Sequence, residues 1–294
     1  MVKKALLLLV LFLATTATAQ TRPAGQAPQR ALPPGTKAMR DVEYVEGGGN
    51  AQSLDLFLPE KSDKPLPLVI WVHGGGWRGG DKTRNPAIAL LQSGYAVASV
   101  NYRLSDVAKF PAQINDCKAA VRWLRTHAAE NNIDPDRIGV WGGSAGGHLV
   151  ALLGVAGDAS ELEGDGGNEG VSSKVQAVCD FFGPTDLTRV SGAHAVSVVE
   201  QLLGGALHDK LDLAKQASPV NYVSEDDPPF LIIHGSDDSV VAPDQSKLLY
   251  EALNAKGVEV KLDLIEGAGH GGREFSTPQR QKLLLDFFDL HLKK

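Results

Sequence analysis

Ser144 stands in Trp141-Gly142-Gly143-Ser144-Ala145-Gly146-Gly147-His148, directly after the apolar run Ile138-Gly139-Val140 and directly before Leu149-Val150-Ala151-Leu152-Leu153. That pattern predicts a strand, a tight turn and a helix, with the serine at the turn. Glycines two residues before and two after it leave room for a strained backbone that lifts the hydroxyl above a sheet. The free N–H groups of the following helix would face the same spot. A G-x-S-x-G match alone is weak; its place between a strand and a helix makes it informative. Such a serine becomes a nucleophile only with a base, a group that orients the base, and donors for an oxyanion.

The chain offers candidates for all three. His73-Gly74-Gly75-Gly76-Trp77 follows the apolar run Leu68-Val69-Ile70-Trp71-Val72, which reads as a buried parallel strand. A glycine triplet there lets backbone N–H groups approach a ligand, so the amides of Gly75, Gly76 and Ala145 are the expected oxyanion donors. The acid is expected in Phe230-Leu231-Ile232-Ile233-His234-Gly235-Ser236-Asp237-Asp238-Ser239-Val240-Val241. Asp238, next to the apolar Val240-Val241, is better placed than Asp237 to be held by packing. The base is expected to be His270, in the glycine-rich loop Glu266 to Gly272 after a last strand at Lys261 to Ile265. The order Ser144, Asp238, His270 is the α/β-hydrolase order.

The remaining histidines have quieter readings. His127, His208 and His291 read as solvated, and His194 as solvent-facing rather than substrate-facing. His234 reads as satisfying a backbone group, His148 as packed in the helix after Ser144, and His73 as bracing its own loop. Cys117 and Cys179 lie on a helix pattern and a strand pattern, which predicts buried free thiols rather than a bridge. Arg103 and Asp116 are expected to form a bidentate pair. The stretch Asp158 to Asn168 carries Glu161, Glu163, Asp165 and Asn168 among glycines, but without the order of a calcium-binding loop. No metal and no cofactor are expected.

Positioning these groups requires a large α/β core, which 294 residues can supply. Val42–Val45 and Leu54–Leu58 read as an antiparallel edge hairpin. Strands follow at 68–72, 96–100, 137–140, 175–182, 230–233 and 261–265, with helices at 86–92, 111–129, 244–255 and 278–291. The alternation predicts a mostly parallel sheet covered by helices on both faces, forming one catalytic domain over residues 40–294. A segment from about 184 to 228 breaks it and is expected to form a small lid. A net charge of −6 with no basic patch argues against nucleic acid. Lys3-Lys4, the apolar run Ala5 to Leu13 and Ala17-Thr18-Ala19 read as a signal peptide over residues 1–19. Residues 20–39, rich in Pro, Ala and Gln, read as a leader. No cysteine follows the cleavage site, so no lipid anchor is expected, and the product would be secreted or periplasmic.

With these motifs in place, the chain resembles the bacterial bifunctional feruloyl/acetyl-xylan esterase (BD-FAE-like) family, cousins of the hormone-sensitive-lipase-like carboxylesterases. The resemblance covers roughly residues 40 to 292. It rests on His73 to Lys82, Ser99-Val100-Asn101-Tyr102-Arg103-Leu104-Ser105, Phe110-Pro111-Ala112-Gln113, Asp116 to Arg125, the serine turn, and Phe182-Gly183-Pro184-Thr185-Asp186. It implies hydrolysis of acyl esters on plant polysaccharide, without a cofactor, by Ser144, Asp238 and His270. The family more often has Trp where this chain has Phe181. Trp77, Tyr102, Phe181 and Phe182 are expected to face the cleft rim and contact a sugar ring or a phenolic acyl group. The lid segment lacks a long apolar helix, which favours small acyl groups over long lipid chains.

Overall fold

The computed structural model describes residues 32–293. The expected signal peptide and the leader up to residue 31 lie outside the described residues. Eight strands form one sheet: β1 (Lys37–Glu43), β2 (Ser53–Leu58), β3 (Leu66–Val72), β4 (Ala96–Val100), β5 (Ile133–Gly143), β6 (Ala177–Phe181), β7 (Phe230–Gly235) and β8 (Val260–Ile265). Their order is β1-β2-β4-β3-β5-β6-β7-β8, antiparallel at β1/β2 and β2/β4 and parallel elsewhere. This is the α/β-hydrolase arrangement.

Side-chain parity explains why the central strands are apolar throughout. Leu68, Ile70 and Val72 of β3 join one core cluster, and Val69 joins the other. Ala96, Ala98 and Val100 of β4 divide from Val97 in the same way. Both faces of the sheet are therefore covered. On one side lie α1 (Ala112–Thr126), α2 (Ala145–Val155), α3 (Ala193–Leu203) and α5 (Asp244–Ala255). On the other lie a 3-10 helix (Pro86–Ser93) and α6 (Pro278–Leu292), which contributes Leu284, Phe288 and Leu292. The expected apolar face of α1, Ile114, Cys117, Val121 and Leu124, is buried in the first cluster. Cys117 and Cys179 are free, buried and in opposite clusters, with the sheet between them.

Some elements differ from the sequence expectation. β1 begins at Lys37, inside the stretch read as leader, and its register shifts between Met39 and Val42, where Asp41 has φ 54°. The segment at 86–92 is a 3-10 helix with Asn85 capping its first turn rather than an α-helix. β5 extends back through Ile133, because Leu66 pairs there before the register shift. Between Pro184 and Pro228 the chain forms α3, α4 (Leu211–Gln216) and short 3-10 turns. Val198, Val199, Leu202 and Leu203 of α3 are buried, so the insertion is packed onto the body.

Candidate active site

Five strand ends of the parallel part of the sheet, those of β3, β5, β6, β7 and β8, feed one cleft of about 550 Å³. Crevices at the carboxyl ends of parallel strands are where such sheets bind ligands. β5 ends at Gly143, Ser144 turns at φ 56° and ψ −122°, and α2 begins at Ala145. Few non-glycine residues occupy that backbone region, and this one is held by its surroundings. The Ser144 amide donates to the Phe181 carbonyl at 2.8 Å, and its own carbonyl accepts from the His148 amide at 2.9 Å. A Cβ on Gly146 would stand 2.1 Å from the Val72 carbonyl oxygen, so only glycine lets α2 pass this close to β3.

His270 lies in the loop after β8. Its Nε2 is 2.9 Å from Ser144 Oγ, and its Nδ1 is 2.6 Å from Asp238 Oδ2. With a carboxylate facing Nδ1, that nitrogen carries the proton, leaving the Nε2 lone pair to face the serine hydroxyl. Asp238 follows β7, and its side chain is fully buried while His270 is 19% exposed. Burial alone would raise the Asp238 pKa. Hydrogen bonds from His234, His270 and the Val241 amide outweigh it and hold the carboxyl well below the usual carboxylate range. Asp237 is exposed and bonds only the neighbouring Ser236 hydroxyl through its side chain. The structure thus brings Asp238, and not Asp237, to the imidazole.

Gly75, Gly76 and Ala145 line the same cleft as Ser144. Gly75 has φ 117°, and a Cβ there would lie 2.2 Å from the Gly79 carbonyl oxygen. Among the described residues, no protein acceptor takes the Gly75 or Gly76 amide. Ala145 is the first residue of α2, where amides have no intrahelical partner.

The aromatic rim departs from expectation. Phe182 does line the cleft, with its ring 4.7 Å from that of His270 in edge contact. Trp77 borders the cleft but is only 3% exposed, because its indole Nε1 turns inward to donate to His148 Nδ1 at 3.2 Å. Tyr102 is 2% exposed and is not a rim residue; it stacks on His73 at 4.4 Å and donates to the His73 carbonyl at 3.0 Å. Phe181 is 6% exposed and packs below the cleft against Trp141 and Phe275. It belongs to β6, where parity sends alternate side chains to opposite faces. Trp71 lines the cleft instead, at the end of β3.

Three histidines acquire defined jobs. His73 Nδ1 bonds the Gly74 carbonyl at 2.8 Å, bracing the glycine loop as its position suggests. His148 is fully buried, with Nε2 donating to the Ala217 carbonyl at 2.7 Å and Nδ1 accepting from Trp77. Burial pushes its pKa down to about 4, so the ring is neutral and ties α2 to both the glycine loop and the insertion. The sequence assigns His234 only a backbone partner, and its Nε2 does face the Val241 carbonyl at 2.9 Å. The same nitrogen also lies 3.1 Å from Asp238 Oδ2, and Ser246 Oγ is 2.6 Å from Nδ1. The i, i+4 spacing of His234 and Asp238 is the available signal, but without the turn geometry it does not announce a contact. Against the sequence expectation, exposed His194 lines the cleft, and His291 is largely buried against Phe287 rather than solvated.

Outside the cleft, the Arg103–Asp116 pair forms as expected, with the guanidinium bonding both carboxylate oxygens at 2.7 to 3.1 Å. The acidic stretch 158–168 is closed from within. Glu163 accepts from Lys118 at 2.8 Å, Arg122 at 2.6 Å and Ser173 at 2.9 Å. Burial opposes its ionisation, yet these partners lower its pKa. No group of His, Cys, Asp or Glu among the described residues is arranged to hold a metal ion.

Comparison with known proteins finds esterases among the relatives of this chain. Esterase LipQ of Mycobacterium tuberculosis is 33% identical over 74% of this chain and 53% of its own length. Esterase LipC of the same organism is 32% identical over 83% of this chain and 64% of its own. The chain thus spans between half and two-thirds of these relatives. Among solved structures, a truncated carbohydrate esterase from gut microbiota superposes with a TM-score of 0.82 at 33% identity, covering 88% of this chain and 97% of that one. An acetyl ester-xyloside bifunctional hydrolase from Caldicellulosiruptor lactoaceticus gives 0.67 at 31% identity, covering 81% and 85%. The BD-FAE family model matches residues 54–253, and with more than half of its length inside that match the chain belongs to the BD-FAE family.

Proposed function

We propose that this protein is a serine carboxylester hydrolase acting on acyl esters of carbohydrate, acetyl-xylan and feruloyl esters being the expected class. The observation that carries the reading is the continuous chain Ser144 Oγ, His270 Nε2, His270 Nδ1, Asp238 Oδ2, with bonds of 2.9 and 2.6 Å, opening onto a cleft bordered by unengaged amides. Ser144 Oγ attacks the ester carbonyl carbon while His270 Nε2 takes its proton. The carbonyl oxygen, now an oxyanion, accepts from the Gly75, Gly76 and Ala145 amides. Asp238 stays ionised, fixes the tautomer and offsets the imidazolium charge. Collapse expels the alcohol, which leaves with the proton from His270. Water then attacks the acyl-enzyme with His270 again as base, releasing the acid and restoring the serine.

Trp71 and Phe182 are the aromatic surfaces available to a sugar or phenolic ring; of the four residues expected from sequence, Phe182 opens onto the cleft, Trp77 borders it with little exposure, and Tyr102 and Phe181 lie inside. Val198, Val199, Val240 and Val241 add an apolar wall, which favours a second reading, a short-chain esterase without carbohydrate preference. A fluorophosphonate probe should label Ser144 and not the Ser144→Ala variant. Rates on acetylated xylan, methyl ferulate and p-nitrophenyl esters of rising length then separate the readings. Faster cleavage of C12–C16 than of C2–C4 esters would overturn the small-acyl assignment. Export belongs to the same proposal, supported by the charged, apolar and small-residue order of residues 1–19. Sequencing the amino terminus of the mature protein tests it.

A further inference from the structure

We propose that the ester taken by this cleft carries a carboxylate, on its sugar or on its acyl group, and that Arg78 and Arg189 bind it. This rests on the hydrolase reading of Ser144 and narrows its substrate class. Arg78 and Arg189 both line the cleft, both are exposed, and neither side chain is in a hydrogen bond or ion pair with the described residues. Outside the cleft, Arg40, Arg103, Arg122 and Arg280 each hold a carboxylate. Among the described residues, Asp238 is the sole carboxylate on the cleft wall, and it is buried beneath two imidazoles and the Val240 and Val241 amides. Asp244 acts on Arg189 at a distance, but it pairs with Lys247 at 2.9 Å and does not line the cleft.

The two guanidinium groups come from separate segments. Arg78 follows the glycine loop, and its Nε lies 3.9 Å from where a Gly76 Cβ would stand, beside a proposed oxyanion donor. Arg189 comes from the insertion, as does His194, which adds an exposed imidazole to the same wall. Uncompensated positive charge in a cleft of a chain whose net charge is −6 gives that cleft a field of its own sign. Guanidinium pairs planar carboxylates bidentately, and it is the group suited to recognising one. A neutral acetyl ester of a neutral sugar would leave both cations without a partner.

The test compares matched substrates by kcat/KM at low and high salt. One pair places the carboxylate on the sugar: an acetylated xylo-oligosaccharide with and without a uronic acid branch. The other places it on the acyl group: the p-nitrophenyl half-ester of succinate against p-nitrophenyl butyrate. The expected result is a preference of about tenfold for the charged member of one pair, which also identifies the source of the anion. That ratio should collapse toward one in Arg78→Gln/Arg189→Gln, and it should shrink as salt is raised. Equal rates within both pairs, or a preference that survives the double variant, overturns the inference while neutral-ester turnover preserves the hydrolase reading. Absence of turnover on every ester refutes both.

Discussion

Replacing Asp180 with asparagine should change how stability depends on pH. Asp180 sits near the end of β6, between Gly142 of β5 and Ile232 of β7. It is fully buried; one carboxyl oxygen accepts from the Gly183 amide at 2.9 Å and the other has no partner. Burial raises its pKa from 3.8 to about 6, against the opposing pull of that amide and of His234. The unfolded chain releases this proton near 3.8 and the folded chain near 6, so in between the folded state binds more protons and stability falls as pH rises. At about 1.4 kcal/mol per pH unit, the full loss above pH 6 is about 3 kcal/mol. The side chain of Asp180→Asn cannot ionise. It retains an acceptor for Gly183 and adds a buried amide without a partner, a fixed cost of about 1–3 kcal/mol that does not vary with pH.

His148 acts in the opposite sense over nearly the same range. Its folded pKa of about 4 lies below the ordinary 6.5, so the unfolded state binds more protons in between and stability rises with pH by about 3 kcal/mol. In the wild type the two contributions offset one another between about pH 4 and 6. Removing the Asp180 carboxyl exposes the His148 slope. Urea denaturation of both proteins at unit steps from pH 4 to 8, read by circular dichroism with m-values compared, gives the difference curve. It should climb by about 3 kcal/mol in favour of Asp180→Asn across the window. Parallel curves, or divergence the other way, would mean that Asp180 is already ionised at pH 4 in the folded protein and that burial does not govern it.

Ser144→Ala should lower kcat by about 10⁴-fold or more with an unchanged unfolding curve, and comparable turnover would remove Ser144 as nucleophile. Asp238→Asn should cost about 10⁴-fold and Asp237→Asn only a few-fold; the reverse ranking moves the acid to Asp237. Because Asp238 is held well below the usual carboxylate range, it stays ionised through mildly acid pH and its own protonation should not limit turnover there. His234→Phe removes one donor from Asp238, and kcat should fall by about 10- to 100-fold with KM little changed. An equal effect on KM would make His234 a packing residue. Glu163→Gln leaves Lys118 buried without its carboxylate and should destabilise by about 2–3 kcal/mol in thermal unfolding, with no response to EDTA in either protein. A chelator-sensitive melting temperature would revive a metal in that loop.

How much of this was legible in the sequence depends on the range of the interaction. The serine turn was readable because Gly142, Ser144 and Gly146 answer local steric demands, and the apolar runs of β3 and β7 because both faces of each strand are covered. Asp238 over Asp237 followed from the adjacent valines. The rim aromatics were misread because residue type does not say to which side a ring points. Tyr102 and Phe181 follow strand parity and loop geometry into the interior, while Trp71 reaches the cleft from a strand that looks uniformly buried. Helix type at 86–93 and the true start of β1 were illegible for another reason. They depend on the capping side chain of Asn85 and on a register set by β2, a partner many residues away.

The same division separates what holds the proposed nucleophile from what would select its substrate. All eleven residues of α2 are buried, and His148 bonds it both to the glycine loop and to the insertion. That packing maintains Ser144 at positive φ, so the reacting geometry is built from rigid elements whose patterns are strong in the sequence. The charged contacts proposed for the substrate come from Arg78, in a turn, and from Arg189 and His194, in or beside the insertion. Such segments are exposed and tolerate change without loss of the core. Specificity in this fold can therefore shift by replacing a few side chains around a reaction centre that the sheet and α2 hold fixed. In this chain those side chains are cationic, and that is the property the charged-ester comparison measures.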